Sequence, residues 1–409
     1  MAKDTWTLES SLFYYLARGG SYTELGTKPF GGSRHAAIHV HSLALELLLW
    51  RLPHYRAKSY QADILANYRN VAVPGTGVAL STFARSRLVA GLYLVFAYPV
   101  LCLCASLHNA LKLSTDTAPL ATRWARAYRT QLLEPQDWFS FWRMNSRLAA
   151  WHSWVTSKGG TDWHDYNMEN KWAFIERGLE LKVPVSPILE CRGVCVKHKN
   201  EEGGMGIHFY KNALNGGDWI LQSVISNDAF VSKLLPPNAP LSTFRVMTAS
   251  LRGAGESTGA EVISCVFRAG RANAMTDHSS VLFDVDIGTG KIGRGTRNAQ
   301  WYILGPKGWL GSWGPPADEL CHPDADGLRV TDAVIPAWSD IKRAVADAHD
   351  KMLPRVPICG WDVCLTAEHG VCYLEANLSC NFFRGSFDQP KYFAFMDTYL
   401  RFCEKMAAR

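Results

Sequence analysis

Apolar residues follow two different spacings along this chain, and the change between them divides it into regions. Up to about residue 130 the spacing is helical, with Leu43–Leu52 as the most apolar run. An aromatic-rich stretch begins at Pro135, and Tyr166–Pro184 carries a further helix pattern that ends near Gly178. Short apolar runs of strand length follow. The pattern predicts an α+β fold in three parts: a helical region at 1–134, a helical subdomain at 135–190 and a larger domain at 191–409.

Two short β-type runs lie close together in residues 360–377, GWDVCLTAEHGVCYLEAN. The segment Ala367–Gly370 between them has the composition of a turn. Folding about this turn places Asp362 opposite Glu375, and Asn377 shares the face of Glu375. Facing carboxylates destabilise a sheet unless a positive charge lies between them, and carboxylates with an amide oxygen suit Mg²⁺. The sequence therefore predicts a magnesium site here; an ordinary surface hairpin with charged edges is the alternative.

A glycine-rich loop follows the predicted strand Val194–Lys197, and its glycines are Gly203, Gly204 and Gly206. Glycines let backbone N–H groups approach phosphates closely, and a lysine supplies a point charge to them. Lys197 is the first candidate for this role and Lys199 the second. A simple hairpin turn explains the same pattern without a ligand.

Arg245 and Arg268 each stand between apolar neighbours, in the predicted strands Leu241–Thr248 and Phe267–Gly270. Alternation along a strand directs each arginine to one face. On successive strands of one sheet, the two would form a positive floor for a phosphate or a substrate carboxylate. Solvent-facing arginines are the alternative.

Together these motifs resemble the ATP-grasp superfamily, whose nucleotide domain ends with an Asp on one strand and a Glu-x-Asn on the next. The likeness is closest to the sugar-transfer-associated, or alpha-L-glutamate-ligase-like, branch. Its G-W-D and E-x-N strands follow an H-P-x-x-x-G segment and a P-x-W, which here are His322–Gly327 and Pro336–Trp338. The resemblance extends from about Asp137 to Arg384.

The resemblance implies an ATP-grasp core, with two mixed subdomains closing on ATP and Mg²⁺ behind a helical N-terminal region. By this likeness Mg²⁺ would be held by Asp362, Glu375 and Asn377. Arg268, with Arg245, would stabilise the transferred phosphate. Trp219–Ile225 would be the hinge strand, and the nucleotide would be lined by Gln222, Val224 and Asn227 beside the lysines and glycines of the loop.

The activity implied by the resemblance is ATP-dependent joining of a small-molecule carboxylate to an amine or amino sugar through an acyl phosphate, with release of ADP. Two departures from the family pattern matter. Glu201 and Glu202 occupy a loop that is usually neutral, and Gly360 stands where some ligases carry an arginine. They support an alternative: a degenerate module that binds a nucleotide or sugar conjugate, or scaffolds a membrane complex, without turnover. An ATP-grasp kinase is a third option.

Composition narrows the range of binding partners and the cellular compartment that the chain suits. The net charge of +6 over 409 residues is mild and its basic residues are scattered, which argues against nucleic acid as a partner. The eleven cysteines include no C-x-x-C pair, and the N-terminus lacks a secretory apolar stretch. These features favour a reducing, ATP-containing compartment, on the cytoplasmic side of any membrane.

Leu88–Leu107 carries no charge over a length that spans a bilayer core, although Pro99 interrupts it. Membrane insertion or association is one interpretation, and a buried helix is the other. Closer to the N-terminus, His35, His39 and His41 have helical spacing but no acidic helper, so packing or surface positions are expected there and not a metal site.

Overall fold

The computed structural model describes residues 8–17, 20–73, 76–112, 117–157, 163–201, 203–297, 304–307, 319–380, 382 and 385–409. The chain is a mixed α+β protein with antiparallel sheets, as the spacing of apolar residues predicts. Its α-helices are α1 (Leu8–Ala17), α2 (Tyr22–Leu25), α3 (Arg34–Leu49), α4 (Tyr60–Asn67), α5 (Leu80–Phe83), α6 (Arg87–Leu92), α7 (Tyr98–Lys112), α8 (Leu120–Leu133), α9 (Trp138–Ser157), α10 (Lys171–Glu180), α11 (Ala229–Ser232), α12 (Trp338–Met352) and α13 (Gln389–Ala407). Its strands are β1 (Gly193–Lys197), β2 (Ile207–Lys211), β3 (Thr243–Ala249), β4 (Glu261–Ala269), β5 (Val281–Val285), β6 (Ile292–Arg297), β7 (Ile358–Thr366) and β8 (Gly370–Asn377).

The N-terminal region is helical, as predicted, and serine caps set where several of its helices begin. Ser33, Ser59 and Ser86 each accept a hydrogen bond from the backbone N–H three residues on, at 3.1–3.2 Å. Such caps satisfy donors that the first turn of a helix leaves without partners. The apolar run Leu43–Leu52 is helical as far as Leu49, the last residue of α3.

One cluster of buried side chains joins the N-terminal helices to the C-terminal part of the chain. Helix α3 packs against α9, and both pack against α13. The cluster includes Leu43 of α3, Leu148 of α9 and Tyr399 of α13. The core is therefore continuous across the predicted boundary between residues 134 and 135.

A six-stranded antiparallel sheet, in the order β6-β5-β4-β3-β7-β8, forms the centre of the molecule. Its two faces alternate along each strand. Phe244, Val246 and Trp361 point to the face covered by α12, where Thr248 Oγ1 lies 2.7 Å from His349 Nδ1 of that helix. Met247 and Ile358 point to the opposite face and join the N-terminal core. The sheet thus lies between two helical layers.

The strands β1 and β2 form a separate two-stranded hairpin, with Lys197 opposite Ile207. The predicted strand Val194–Lys197 is confirmed within β1. The predicted strand Trp219–Ile225 is wrong, because the segment has only isolated bridges, Gln222 with Ile188 and Trp219 with Asn212. One proline limits a longer ladder beside it: Pro187, in the partner segment, lacks the N–H that a ladder needs, whereas the backbone of Pro184 bonds to Tyr373 of β8.

The apolar segment 88–107 lies in a helix that the chain continues from Arg87 to Leu111. It is long and apolar enough to cross a membrane, with a mean hydropathy of 2.2, and about a third of its most apolar stretch is buried in the protein. A π-helical turn at Tyr93–Ala97 precedes Pro99, which cannot donate a backbone hydrogen bond to the preceding turn. The exposed apolar side chains of the helix include Leu88, Leu92, Val95, Phe96, Val100 and Leu103.

The three histidines of α3 are packing residues, as expected. His35, His39 and His41 are all buried, and burial lowers the pKa of His35 to about 4 and that of His41 to about 3. His35 stacks on Phe393 of α13. Neutral, ring-stacked histidines are consistent with a core role.

Candidate functional site

A row of charged side chains crosses three neighbouring strands of the central sheet. Arg245 of β3 is the register partner of Asp362 of β7, and Asp362 is the partner of Glu375 of β8. Residues directly opposite each other in an antiparallel sheet share a face. The predicted pairing of Asp362 with Glu375 is therefore confirmed, and a cation does lie beside the two carboxylates: the guanidinium of Arg245.

Asp362 is held by two arginines. The Nε of Arg245 donates to Oδ1 of Asp362, and its Nη2 donates to Oδ2 at 3.1 Å. Arg268 Nη1 donates to the same Oδ2, also at 3.1 Å. Burial opposes ionisation of this carboxyl group, but the two guanidiniums outweigh it, so the pKa of Asp362 is lowered below its ordinary value. Asp362 is therefore a carboxylate in the folded protein.

Arg268 is positioned by a residue that the sequence did not single out, Asp277. Arg268 Nη2 donates to Asp277 Oδ1 at 3.1 Å, and Thr243 Oγ1 donates to the other oxygen of Asp277. Burial raises the pKa of Asp277, although the guanidinium and the hydroxyl partly offset that effect. Asp277 lies in a short 3₁₀ turn before β5, where no strand pattern marks it as part of the site.

Glu375 is the most accessible carboxylate of the row, with 30% of its side chain exposed. A β-bulge between β7 and β8 lies directly before it, with Leu374 as the extra residue. Bulges re-aim neighbouring side chains and are common beside functional sites. Lys171 Nζ, at the start of α10, lies 3.4 Å from Glu375 Oε2, and Asn377 Nδ2 donates to Oε1 at 3.3 Å.

Lys171 is the second residue that sequence reasoning missed. It is the first residue of α10. Nothing in the sequence indicates that the start of α10 contacts β8. Lys171 is 67% exposed, so its ammonium group is accessible from solvent.

The absence of an arginine at position 360 has a structural cause. A Cβ at Gly360 would lie 2.8 Å from the Cβ of Cys380 and 3.0 Å from the Cδ of Arg245. The stem of Arg245 therefore crosses the space that a side chain at position 360 would need. A guanidinium, that of Arg245 on β3, therefore lies beside position 360.

The segment that follows Asn377 is clamped from the N-terminal side. The carboxylate of Glu169 accepts hydrogen bonds from the backbone N–H groups of Leu378, at 2.7 Å, and Ser379, at 3.3 Å. Arg56 Nη1 lies 2.9 Å from the other oxygen of Glu169, and Arg56 also pairs with buried Asp63. Residues from the helical region thus fix the end of β8.

The donor set near Glu375 suits a hard cation in part. Among the described residues, no group of three or more His, Cys, Asp or Glu side chains is arranged to hold a metal ion. Glu375 and Asn377 supply carboxylate and amide oxygens at an accessible position, which fits Mg²⁺. Asp362 fits only if a guanidinium moves away, because its oxygens already accept three hydrogen bonds from Arg245 and Arg268.

The predicted phosphate loop is the turn of the β1–β2 hairpin. Its glycines have positive φ angles of 64° at Gly203, 82° at Gly204 and 65° at Gly206, a backbone conformation that favours glycine. The side chains of Lys197 and Lys199 are exposed. The carboxylate of Glu201 folds back over Gly206 and lies 3.8 Å from His198, so it faces its own turn. Glu202 lies outside the described residues.

The three residues predicted to line the nucleotide have different surroundings. Gln222 is exposed, and its Nε2 donates to the backbone oxygen of Ser186 at 3.2 Å. Val224 is 97% exposed. The amide of Asn227 binds on both sides to the backbone, at Pro240 O and Ser242 N, so its side chain has a structural role.

The segment around Gln222 is connected to β8 through the chain at 184–189. Ser186 N donates to Tyr373 O of β8 at 3.1 Å, and Leu189 N donates to Leu221 O at 2.8 Å. The chain around 184–189 therefore runs between β8 and the segment at 221–222. The hinge candidate is thus linked to the edge strand β8, which carries Glu375, through single bridges.

Comparisons with protein-family models, with curated proteins and with solved structures give no match. What the site does must therefore be inferred from its own geometry and chemistry.

Proposed function

We propose that this protein is an ATP-dependent ligase of the ATP-grasp type, joining a small-molecule carboxylate to an amine. The observation that carries the proposal is the row Arg245–Asp362–Glu375 on three adjacent strands. Arg268 adds a second guanidinium to this row, and Lys171 adds an ammonium group at its accessible end. Such a density of fixed charges on one sheet face suits a ligand with several phosphates.

The charges of the row and of the three charged side chains that contact it balance without a ligand. Three cations, Lys171, Arg245 and Arg268, stand against three carboxylates, Asp277, Asp362 and Glu375. Nucleotide phosphates can replace the carboxylates as partners of the arginines. The freed carboxylate of Asp362 would then be available to a cation that arrives with the phosphates. Exchange of partners keeps every buried charge compensated, which a low-dielectric site requires.

Glu375 and Asn377, joined by Asp362 after this exchange, would hold Mg²⁺. When bound, Mg²⁺ would supply positive charge to the phosphate oxygens. Arg268 and Arg245 would offset the negative charge of the phosphoryl group as it moves to the substrate carboxylate. Phosphoryl transfer needs little covalent help from a protein, so positioning and fixed charge are sufficient roles for these side chains. The amine then displaces phosphate from the acyl phosphate, giving an amide, ADP and phosphate.

The β1–β2 hairpin would close over the nucleotide. Lys197 at the end of β1 would contact phosphate, and the backbone of Gly203 and Gly204 has open space where a Cβ would lie. Two apolar side chains on and just after the hairpin are exposed, Phe209 of β2 at 78% and Trp219 at 54%. Their exposure is explained if they pack against a bound ligand when the hairpin closes.

A degenerate binding module is the second candidate, and one observation favours it. The two guanidiniums hold Asp362 so completely that the resting site has the character of a structural ion-pair network. If that network does not open, the site would bind a nucleotide or a sugar conjugate through Lys171 and Glu375 without turnover.

One experiment tests the proposal and separates the candidates. Purified protein is incubated with Mg·ATP and mixtures of amino acids, other small carboxylates and amino sugars, and nucleotide and amide products are followed by mass spectrometry. A ligase releases ADP together with an amide of increased mass. AMP with pyrophosphate would point to an adenylate route and contradict the acyl-phosphate mechanism, and ATP binding without any product would favour the degenerate module.

A further inference from the structure

Two buried arginines lie one helical turn apart on α9, away from the row of charges on the sheet. Arg143 is 6% exposed and Arg147 is 2% exposed. Positions i and i+4 of a helix share a face, and both side chains line one pocket between α9, α3 and α4. The polar side chains of this pocket are those of Glu46, Tyr60, Tyr68, Arg143, Ser146 and Arg147.

The arginines have more donors than the surrounding residues satisfy. Arg147 Nη2 donates to Glu46, but Arg147 Nε and Nη1 are buried and have no hydrogen-bond partner in the described part of the chain. Arg143 Nη2 donates to the hydroxyl of Ser140 at 3.1 Å, and its Nε is likewise buried without a partner there. Each donor left unsatisfied in the interior carries a desolvation cost.

Charge is also uneven in the pocket, which contains two guanidiniums and one carboxylate. A further acid that acts on Arg143 is Asp137, which caps α9: its oxygens accept hydrogen bonds from the N–H and the hydroxyl of Ser140. Asp137 does not line the pocket. Arg143 instead lies against the rings of Tyr98 and Phe139, at 5.3 and 4.8 Å from their centroids. An anion in the pocket would supply both the acceptors and the negative charge that these groups lack.

We propose that the pocket of Arg143 and Arg147 is a binding site for a compact oxyanion, either inorganic phosphate or the carboxylate end of a small molecule. The space limits what enters. About 20 Å³ is free in the pocket, where a single water needs roughly 10–15 Å³. The free space is that of one or two water molecules, so a carboxylate or phosphate group would enter only with movement of the long arginine side chains, and a nucleoside or a sugar ring would not fit.

Two residues that line the pocket also contact the segment just after β8. Tyr68 and Trp142, two of its wall residues, also hold Ser379: Tyr68 Oη lies 3.2 Å from Ser379 Oγ, and Trp142 Nε1 donates to Ser379 O at 3.0 Å. An anion bound between the arginines would therefore stabilise the segment that follows Asn377. This inference does not depend on the ligase proposal, because it needs no nucleotide.

Calorimetric titration of the full chain with inorganic phosphate, and separately with acetate, tests the proposal. The wild type is expected to bind one anion, and the arm that binds identifies phosphate or carboxylate. Arg147→Gln should weaken binding roughly tenfold or more, since it removes charged donors. Glu46→Gln should tighten binding by several-fold, because the anion then takes the place of the carboxylate beside Arg147.

Two controls locate the effect. Arg51→Gln removes the same charge from an exposed position just after α3 and should leave the affinity unchanged. Lys197→Ala alters the hairpin and should also leave it unchanged, which separates this pocket from any phosphate bound at the nucleotide site. If Arg147→Gln does not fold, the wild type and Glu46→Gln still decide the matter. Absence of anion binding in both would mean that the pocket holds water only and would overturn the proposal, as would unchanged affinity in a folded Arg147→Gln protein.

Discussion

Arg245 and Asp362 lie directly opposite each other on β3 and β7, with Arg245 Nη2 3.1 Å from Asp362 Oδ2 and both side chains buried. Asp362 is therefore the partner of a buried ion pair. Glu375, its neighbour on β8, is partly exposed and contacts the accessible Lys171. The two carboxylates of one hairpin thus differ in what they contribute to stability and to function.

Asp362→Asn should destabilise the fold strongly. The substitution keeps the shape of the side chain but leaves Arg245 and Arg268 without their shared carboxylate, and breaking a buried pair costs about 3–5 kcal/mol. Glu375→Gln should cost less than about 1 kcal/mol, because its partner Lys171 is 67% exposed. Urea unfolding of both variants measures the difference. Equal losses in the two variants would show that the charge network is not organised as described.

Stability should fall as the pH drops below 6.5, in part because of His349. Burial lowers the pKa of His349 to about 4, so between pH 4 and 6.5 the unfolded chain binds a proton that the folded chain does not. The free energy of unfolding therefore rises with pH across that window, by about 1.4 kcal/mol per unit for one such histidine. His152, whose pKa burial also lowers to about 4, should contribute in the same direction.

Urea unfolding at several pH values from 4 to 7 checks this dependence. His349→Gln should reduce the slope in this window by about one proton, whatever its effect on absolute stability. His369→Gln, at an exposed position in the turn between β7 and β8, is the matched control and should leave the slope in place. An unchanged slope in His349→Gln would mean that the imidazole is protonated in the folded protein.

The helix Arg87–Leu111 should bind membranes through its exposed apolar side chains. Leu92, Val95 and Leu103 are 37–48% exposed, so replacing all three with Gln should reduce partition into vesicles while leaving the helical circular dichroism intact. Leu94→Gln, at a position that is 1% exposed, should instead destabilise the domain by about 2–5 kcal/mol. A wild-type protein that never sediments with vesicles would show that this face does not contact lipid.

Lys197→Ala should weaken ATP binding more than Lys199→Ala does. Lys197 ends β1 and is paired with Ile207 across the glycine turn, whereas Lys199 lies in the turn itself. Equilibrium titrations of the two variants with Mg·ATP measure the difference, and each variant serves as the charge control for the other. Greater sensitivity at Lys199 would place the phosphates nearer the tip of the hairpin.

The hairpin of Asp362 and Glu375 could be predicted from sequence because its two strands are joined by a short turn. Alternation and turn chemistry alone then set which residues face each other. The pairing of β3 with β7, which brings Arg245 to Asp362, joins strands more than a hundred residues apart. Local patterns cannot choose among such distant pairings. The sequence therefore predicts that Arg245 and Arg268 share one face of a sheet, but it does not identify Asp362 as their partner.

Other features could not be predicted from local sequence patterns, each for a different reason. Trp219–Ile225 has the composition of a strand, but Pro187 of the neighbouring segment limits its pairing to single bridges. Lys171 contacts Glu375 only because α10 begins beside the end of β8. The physical cause for a glycine at position 360, the stem of Arg245 above it, is visible only in three dimensions.

The proposal that Glu375 holds Mg²⁺ for ATP is tested by calorimetric titration of ATP into wild type and Glu375→Gln. Each protein is titrated with Mg²⁺ and with Mg²⁺ removed by chelation. Glu375 is the accessible carboxylate of the row, and its substitution is expected to leave the fold intact. Wild type should bind ATP tightly only with Mg²⁺, and Glu375→Gln should lose this dependence together with most of the affinity. An ATP affinity that neither chelation nor the substitution changes would contradict the proposed Mg²⁺ site.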